Sequence, residues 1–110
     1  MPTLFTKIIN REIPGNIVYE DAHVVAFRDL EPKAPTHILI VTRAEIEGLA
    51  TLQETGDHMH ILNAAKTIAE QEGLKSGYRL VINQGPDAGQ SVPHLHAHLL
   101  GGRQLNWPPG

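Results

Sequence analysis

The stretch YRLVINQGPDAGQSVPHLHAHLLGG, Tyr78 to Gly102, holds two apolar runs joined by a loop that contains glycine and proline. Tyr78 to Asn83 (YRLVIN) reads as a strand. The second run places His94, His96 and His98 at alternate positions, with Leu95, Ala97 and Leu99 between them. A strand points alternate side chains to opposite faces, so the three imidazoles share one face, with Cα atoms roughly 6.8 Å apart along the chain. Pro93 suits a strand that begins at His94, since proline is tolerated at a strand start but not inside the ladder. Two strands joined by such a loop are expected to pair as neighbours.

Working outward, His37 to Thr42 (HILIVT) is apolar enough to be a strand buried on both faces. Ile17 to Glu20 and Val24 to Arg28 flank Asp21-Ala22-His23 and read as a hairpin. Thr51-Leu52-Gln53-Glu54 has the form of a capping box. It precedes Met59, Leu62, Ala65, Ile68 and Ala69, which recur at three- and four-residue steps up to Gly73, as a long helix requires. Leu4, Phe5, Ile8 and Ile9 predict a short helix before Pro14-Gly15. These elements predict an α+β fold: a mainly antiparallel sheet with one long helix and a short N-terminal helix, in a single domain over residues 1–110.

Composition narrows the function. A net charge of −3 offers no broad basic footprint for a nucleic-acid polymer, though one mononucleotide remains compatible. No apolar run is long enough to span a bilayer and no signal-peptide pattern is present, so no membrane partner is expected and a cytoplasmic location is. The absence of cysteine removes thiolate catalysis and cysteine-based zinc sites, leaving histidine to carry any unusual chemistry.

The histidine strand allows three readings. Surface or satisfied core histidines are the plainest; His23, His58 and His60 are read that way, the last two lying on different faces of the long helix. Metal binding is the second, since alternating strand histidines are a plausible grip. However, no acidic residue lies between Gln90 and Gly110 to orient the rings. Nucleophilic attack at phosphorus is the third. Asn83, Gly89, Gln90 and Ser91 place amide and hydroxyl donors beside three imidazoles, which suits an oxyanion better than a cation. An attacking ring must be neutral, and an unperturbed histidine titrates near ~6.5.

HLHAHLL has the form His-φ-His-φ-His-φ-φ (φ apolar) and resembles the signature of the histidine triad family, specifically its Hint branch. LFTKIINREIP, AFRDLEPKAPTHIL, GYRLVINQG, AGQSV and LLGGRQLNWPPG resemble segments of that branch in order, so the resemblance covers nearly the whole chain. It implies a purine nucleoside phosphoramidase that splits the P–N bond of adenosine or guanosine 5′-phosphoramidates and lysyl-AMP adducts. No cofactor or metal is implied, and the sheets are joined across a homodimer. By position, the resemblance makes His96 the nucleophile that forms a nucleotidyl-histidine intermediate. His98 and Asn83 hold phosphate oxygens, with Gly89, Gln90 and Ser91 opposite and Ser91 near the leaving group. His37 and His94 complete a histidine network. Asp29 is matched to the ribose hydroxyls, and Leu4, Phe5, Ile8, Phe27, Arg28 and Leu30 to the base pocket. Trp107 is matched to a residue that reaches the partner subunit's site. Two alternatives stay open: hydrolysis of dinucleoside polyphosphates, and a non-catalytic purine-nucleotide-binding regulatory module.

Overall fold

A computed structural model describes residues 2–110. Five strands, β1 (Ile17–Glu20), β2 (Val24–Arg28), β3 (Thr36–Thr42), β4 (Tyr78–Val81) and β5 (His96–Gly101), form one antiparallel sheet in the order β1-β2-β3-β5-β4. Helix α1 (Leu4–Ile9) lies on one face and α2 (His58–Gln71) on the other. The architecture is the α+β arrangement expected, and the loop-joined strands β4 and β5 do pair as neighbours.

All seven residues of β3 are buried, because a helix covers each face of the central strand. On the α2 side, Val24, Ala26, Ile38, Ile40, Ala97 and Leu99 pack against Ile61, Ala64, Ala65 and Ile68, the small alanines letting the helix approach the sheet. Opposite, Phe5, Ile8 and Ile9 of α1 pack on Val25, Phe27, Leu39 and Val41. Register then settles where the histidines point. His96 pairs with Val41 and His98 with Leu39, so both rings emerge on the α1 face.

Three boundaries differ from the sequence expectation. The Thr51 capping box does not start the long helix: Leu49–Thr51 is a 3₁₀ turn whose Thr51 hydroxyl donates to the Gly48 carbonyl, and α2 begins at His58. Strand β5 begins at His96 rather than His94. The His94 amide instead turns back to the Val92 carbonyl, and Leu95 bonds to Ile46 and Thr42 outside the ladder. Strand β4 stops at Val81, opposite His98, and leaves Asn83 beyond the sheet. The helix end follows the sequence. Gly73 takes φ +71°, its amide bonds to the Glu70 carbonyl, and the Leu74 amide bonds to that of Ala69, a Schellman closure.

Among the described residues no helix is long and apolar enough to cross a membrane. Ile40, fully buried at the centre of the sheet, is a direct test of the packing. Ile40→Ala should cost about 2–5 kcal/mol of unfolding free energy in urea titration.

Candidate active site

The site grows from the segment in which β5 approaches β3. His94 is fully buried, and both of its ring nitrogens are engaged. Nε2 lies 2.6 Å from the Thr42 carbonyl, which can only accept, so Nε2 carries the proton. Nδ1 then accepts from the Thr3 hydroxyl at 2.7 Å. Thr3 is also the N-cap of α1, its oxygen accepting from the Thr6 amide while the Thr6 hydroxyl accepts from the Thr3 amide. The cap thus fastens α1 to the histidine segment, a link not read from the Thr-x-x-Thr pattern beforehand.

The other rings follow the same logic. His96 Nδ1–H donates to the His94 carbonyl at 2.6 Å, which leaves the lone pair on Nε2. His37 Nδ1 accepts the Lys33 amide at 3.0 Å, so its Nε2–H points to His98 Nδ1 at 2.9 Å, with Asp29 Oδ2 at 3.4 Å. His98 accepts on Nδ1 and, as a neutral ring, carries its proton on Nε2. Backbone groups therefore set one ring as a lone-pair donor (His96) and its neighbour as an N–H donor (His98). The two rings lie 5.1 Å apart between centroids.

Burial holds these rings neutral. It is the main cause lowering His37, His94 and His96, only partly opposed by Asp29 at His37 and by carbonyl acceptors at His94 and His96. His98 is pushed down to about 4 by burial and by its neighbours His96 and His37. All four rings thus lie below the unperturbed histidine value of ~6.5.

An open cleft of about 480 Å³ beside the rings is lined by Asp29, His37, Asn83, His98 and Pro109 among others. Asp29 divides its carboxylate. Oδ1 accepts the Glu31 amide in a tight turn, and Oδ2 stays beside His37 at the cleft. The Asn83 side chain makes no hydrogen bond among the described residues, nor do the Ser91 amide and hydroxyl, so their donors are free.

Several expected positions fall elsewhere. Gln90 is committed to its own loop: Nε2 donates to the Glu47 and Val92 carbonyls, Oε1 accepts the Gly85 amide, and its amide reaches the Gly85 carbonyl. The Gly89 amide likewise closes onto the Pro86 carbonyl. Neither residue has a donor left for phosphate. Arg28 is on the α2 face, one pleat away from Phe27, and makes a bidentate pair with Glu72 at 2.9 and 3.0 Å, so it does not line a base pocket on the histidine side. Phe5, Ile8 and Phe27 are core beneath the site, with the Phe5 ring edge-on to His96 at 4.8 Å. Leu4 is 52% and Leu30 90% exposed, leaving both open to a ligand. Trp107 is exposed beneath the Arg79 guanidinium.

Asp29, His37 and His98 bring donor atoms within 4.8 Å of one another, a spacing open to a metal ion. The tautomers oppose it. An ion on His37 Nε2 would move the ring proton to Nδ1, directly against the Lys33 N–H. The donor set fits a hydrogen-bonded anion better.

The HIT domain family pattern matches residues 10–105. The chain is 56% identical to a maize (Zea mays) protein named 14 kDa zinc-binding protein, over 99% of this chain and 88% of that one. It is 51% identical to Adenylylsulfatase HINT1 of Arabidopsis thaliana, over 99% of this chain and 77% of that one. The crystal structure of a HIT family hydrolase from Legionella pneumophila Philadelphia 1 superposes with a TM-score of 0.90 at 47% identity, covering 97% of this chain and 98% of that one.

The depressed histidines have a consequence for stability. Each binds its proton more readily in the unfolded chain, so unfolding takes up protons below pH ~6.5 and stability falls as pH drops from there through the folded values. Melting temperature should be level above neutrality and decline towards pH 4, and an NMR titration should find His98 midway near that pH.

Proposed function

The chain belongs to the HIT domain family, and from that premise we propose that it is a purine nucleoside phosphoramidase. The observation that carries this reading is His96: its Nδ1–H is fixed to a backbone carbonyl and its Nε2 lone pair is left free. In the proposed reaction, Nε2 attacks the α-phosphorus in line, a P–N bond to the nucleotide forms, and the bond to the leaving amine breaks as the amine takes a proton from the Ser91 hydroxyl, which solvent reprotonates. Water then attacks the same phosphorus, gives up a proton to solvent, and releases the nucleoside 5′-monophosphate and neutral His96. His98 Nε2–H and the Asn83 amide stabilise charge on the non-bridging oxygens without reorganising, as an oxyanion hole does. The Ser91 hydroxyl serves the leaving group, and the free Asp29 oxygen takes the ribose hydroxyls.

His37 and His94 are positioning residues, each holding the tautomer or seat of a neighbouring ring. The base rests against exposed Leu4 and Leu30 over the buried floor of Phe5, Ile8 and Phe27. No cofactor enters this scheme. A homodimer in the cytoplasm is part of the same reading, with Trp107 delivered to the partner's site. A second reading keeps the nucleophile and changes the leaving group. Sulfate departing from an adenylyl sulfate requires the same attack at phosphorus, and the Arabidopsis relative carries that activity in its name.

Rates on adenosine and guanosine phosphoramidates, adenylyl sulfate and diadenosine polyphosphates separate these readings. Preference for the phosphoramidates supports the first, and absence of turnover on all of them sinks catalysis altogether. His96→Ala should lower kcat by roughly 10⁴-fold while AMP affinity changes little, since a nucleophile acts in the transition state. Retained turnover would remove His96 from that role. Deleting residues 106–110 should shift preference among leaving amines while sedimentation still reports a dimer; an unchanged profile would take the tail out of the site.

A further inference from the structure

Away from the triad, on the opposite side of the sheet, three other chemistry-bearing side chains meet. His23 lies in the β1–β2 turn, while Asp57 and His60 sit three residues apart at the start of α2 and so share a helix face. The rings of His23 and His60 are stacked, centroids 3.6 Å apart and 4° from parallel. His23 Nδ1 lies 3.9 Å from Asp57 Oδ1, and one donor atom from each residue falls within 4.8 Å of the others. We propose that His23, Asp57 and His60 form a binding site for a borderline divalent cation such as zinc, which clips the β1–β2 turn to the first turn of α2.

The case rests on what these groups are not doing. Every triad ring has a nitrogen committed to backbone or to another ring, whereas neither the His23 nor the His60 ring makes a hydrogen bond among the described residues. Asp57 is the N-cap of α2, yet its carboxylate makes no capping bond, so its oxygens are also uncommitted. Meanwhile the backbone that carries His23 is held rigidly. Asp21 Oδ1 accepts the His23 and Val24 amides at 2.7 and 2.9 Å, and the His23 carbonyl accepts the Arg43 amide at 2.9 Å. The nearby Arg43 guanidinium is occupied by Glu20 and the Asp21 carbonyl.

Two neutral imidazoles and one carboxylate are a donor set that zinc, nickel and cobalt accept readily. Tetrahedral zinc with bonds of ~2.0–2.1 Å spaces its ligand atoms by roughly 3.4 Å, and because parallel rings aim their lone pairs along parallel lines, closure requires the half-exposed His23 ring to tilt out of the stack towards the ion. Three protein ligands leave one position for water. Occupancy stabilises the folded state by mass action, because the unfolded chain does not hold the three groups together.

The test uses the full chain, stripped with EDTA and dialysed, then titrated with zinc by calorimetry. Nickel serves as a paramagnetic probe in NMR. One zinc equivalent is expected, with a melting temperature raised by a few degrees and nickel broadening centred on residues of the β1–β2 turn and the first turn of α2. His23→Ala, Asp57→Asn and His60→Gln should each weaken zinc binding at least about tenfold. The His23→Ala and His60→Gln variants should keep their metal-free melting temperature and phosphoramidate turnover, while His98→Asn should bind zinc like the parent. No zinc binding at millimolar concentration, unchanged binding in the three variants, or loss confined to His98→Asn would each overturn the proposal, the last by assigning the ion to the cleft.

Discussion

One fully buried ring, His94, constrains the whole site. A buried imidazole carries a donor and an acceptor, and leaving either unpaired costs about 1–3 kcal/mol. Satisfying both brings three remote parts of the chain together: the Thr42 carbonyl at the end of β3, the Thr3 hydroxyl capping α1, and the segment entering β5. The same residue's carbonyl then fixes the His96 proton. Core packing sets the sheet, but this polar requirement decides how α1 sits on it and which nitrogen of His96 faces outward. A methionine or leucine of similar volume at His94 would fill the space and lose both linkages.

Neutrality comes from the same geometry. Each ring carries its proton where a fixed group demands it, and burial opposes a second proton. The site therefore presents a lone pair and an N–H side by side on alternate strand positions, complementary to an electrophilic phosphorus and its oxygens. Cationic rings would bind a phosphate more strongly at rest but could not attack it.

Most of this was legible in the sequence, and what was not has physical reasons. Period-two alternation marked the histidine strand, runs of apolar and β-branched residues marked the others, and HILIVT was recognisable as central because it alternates with nothing polar. The Thr51 motif misled because a capping box describes local hydrogen bonding, and a 3₁₀ turn used the same hydroxyl. Arg28 was matched to the base pocket by resemblance, although the pleat sends it to the face opposite Phe27; alternation alone would have corrected it. Gln90 was read as a phosphate donor because its actual partners, Glu47 and Gly85, are set by loop folding rather than by any period. The stacking of His23 on His60 is likewise a long-range meeting of a turn with a helix start, and no local pattern announces it.

Helix α1 has only six residues, too few to persist without the sheet beneath it. It nevertheless supplies the cap oxygen to His94 and the aromatic edge to His96. Elements this short open and reclose far more often than a central strand. Local opening of α1 would hydrate His94 Nδ1 and uncover one side of His96 while leaving the pairing of β3 with β5 intact. The floor of the histidine site and its wall thus belong to units of unequal stability: the strands hold the nitrogens in place, and the N-terminal turn is the flank through which water would enter.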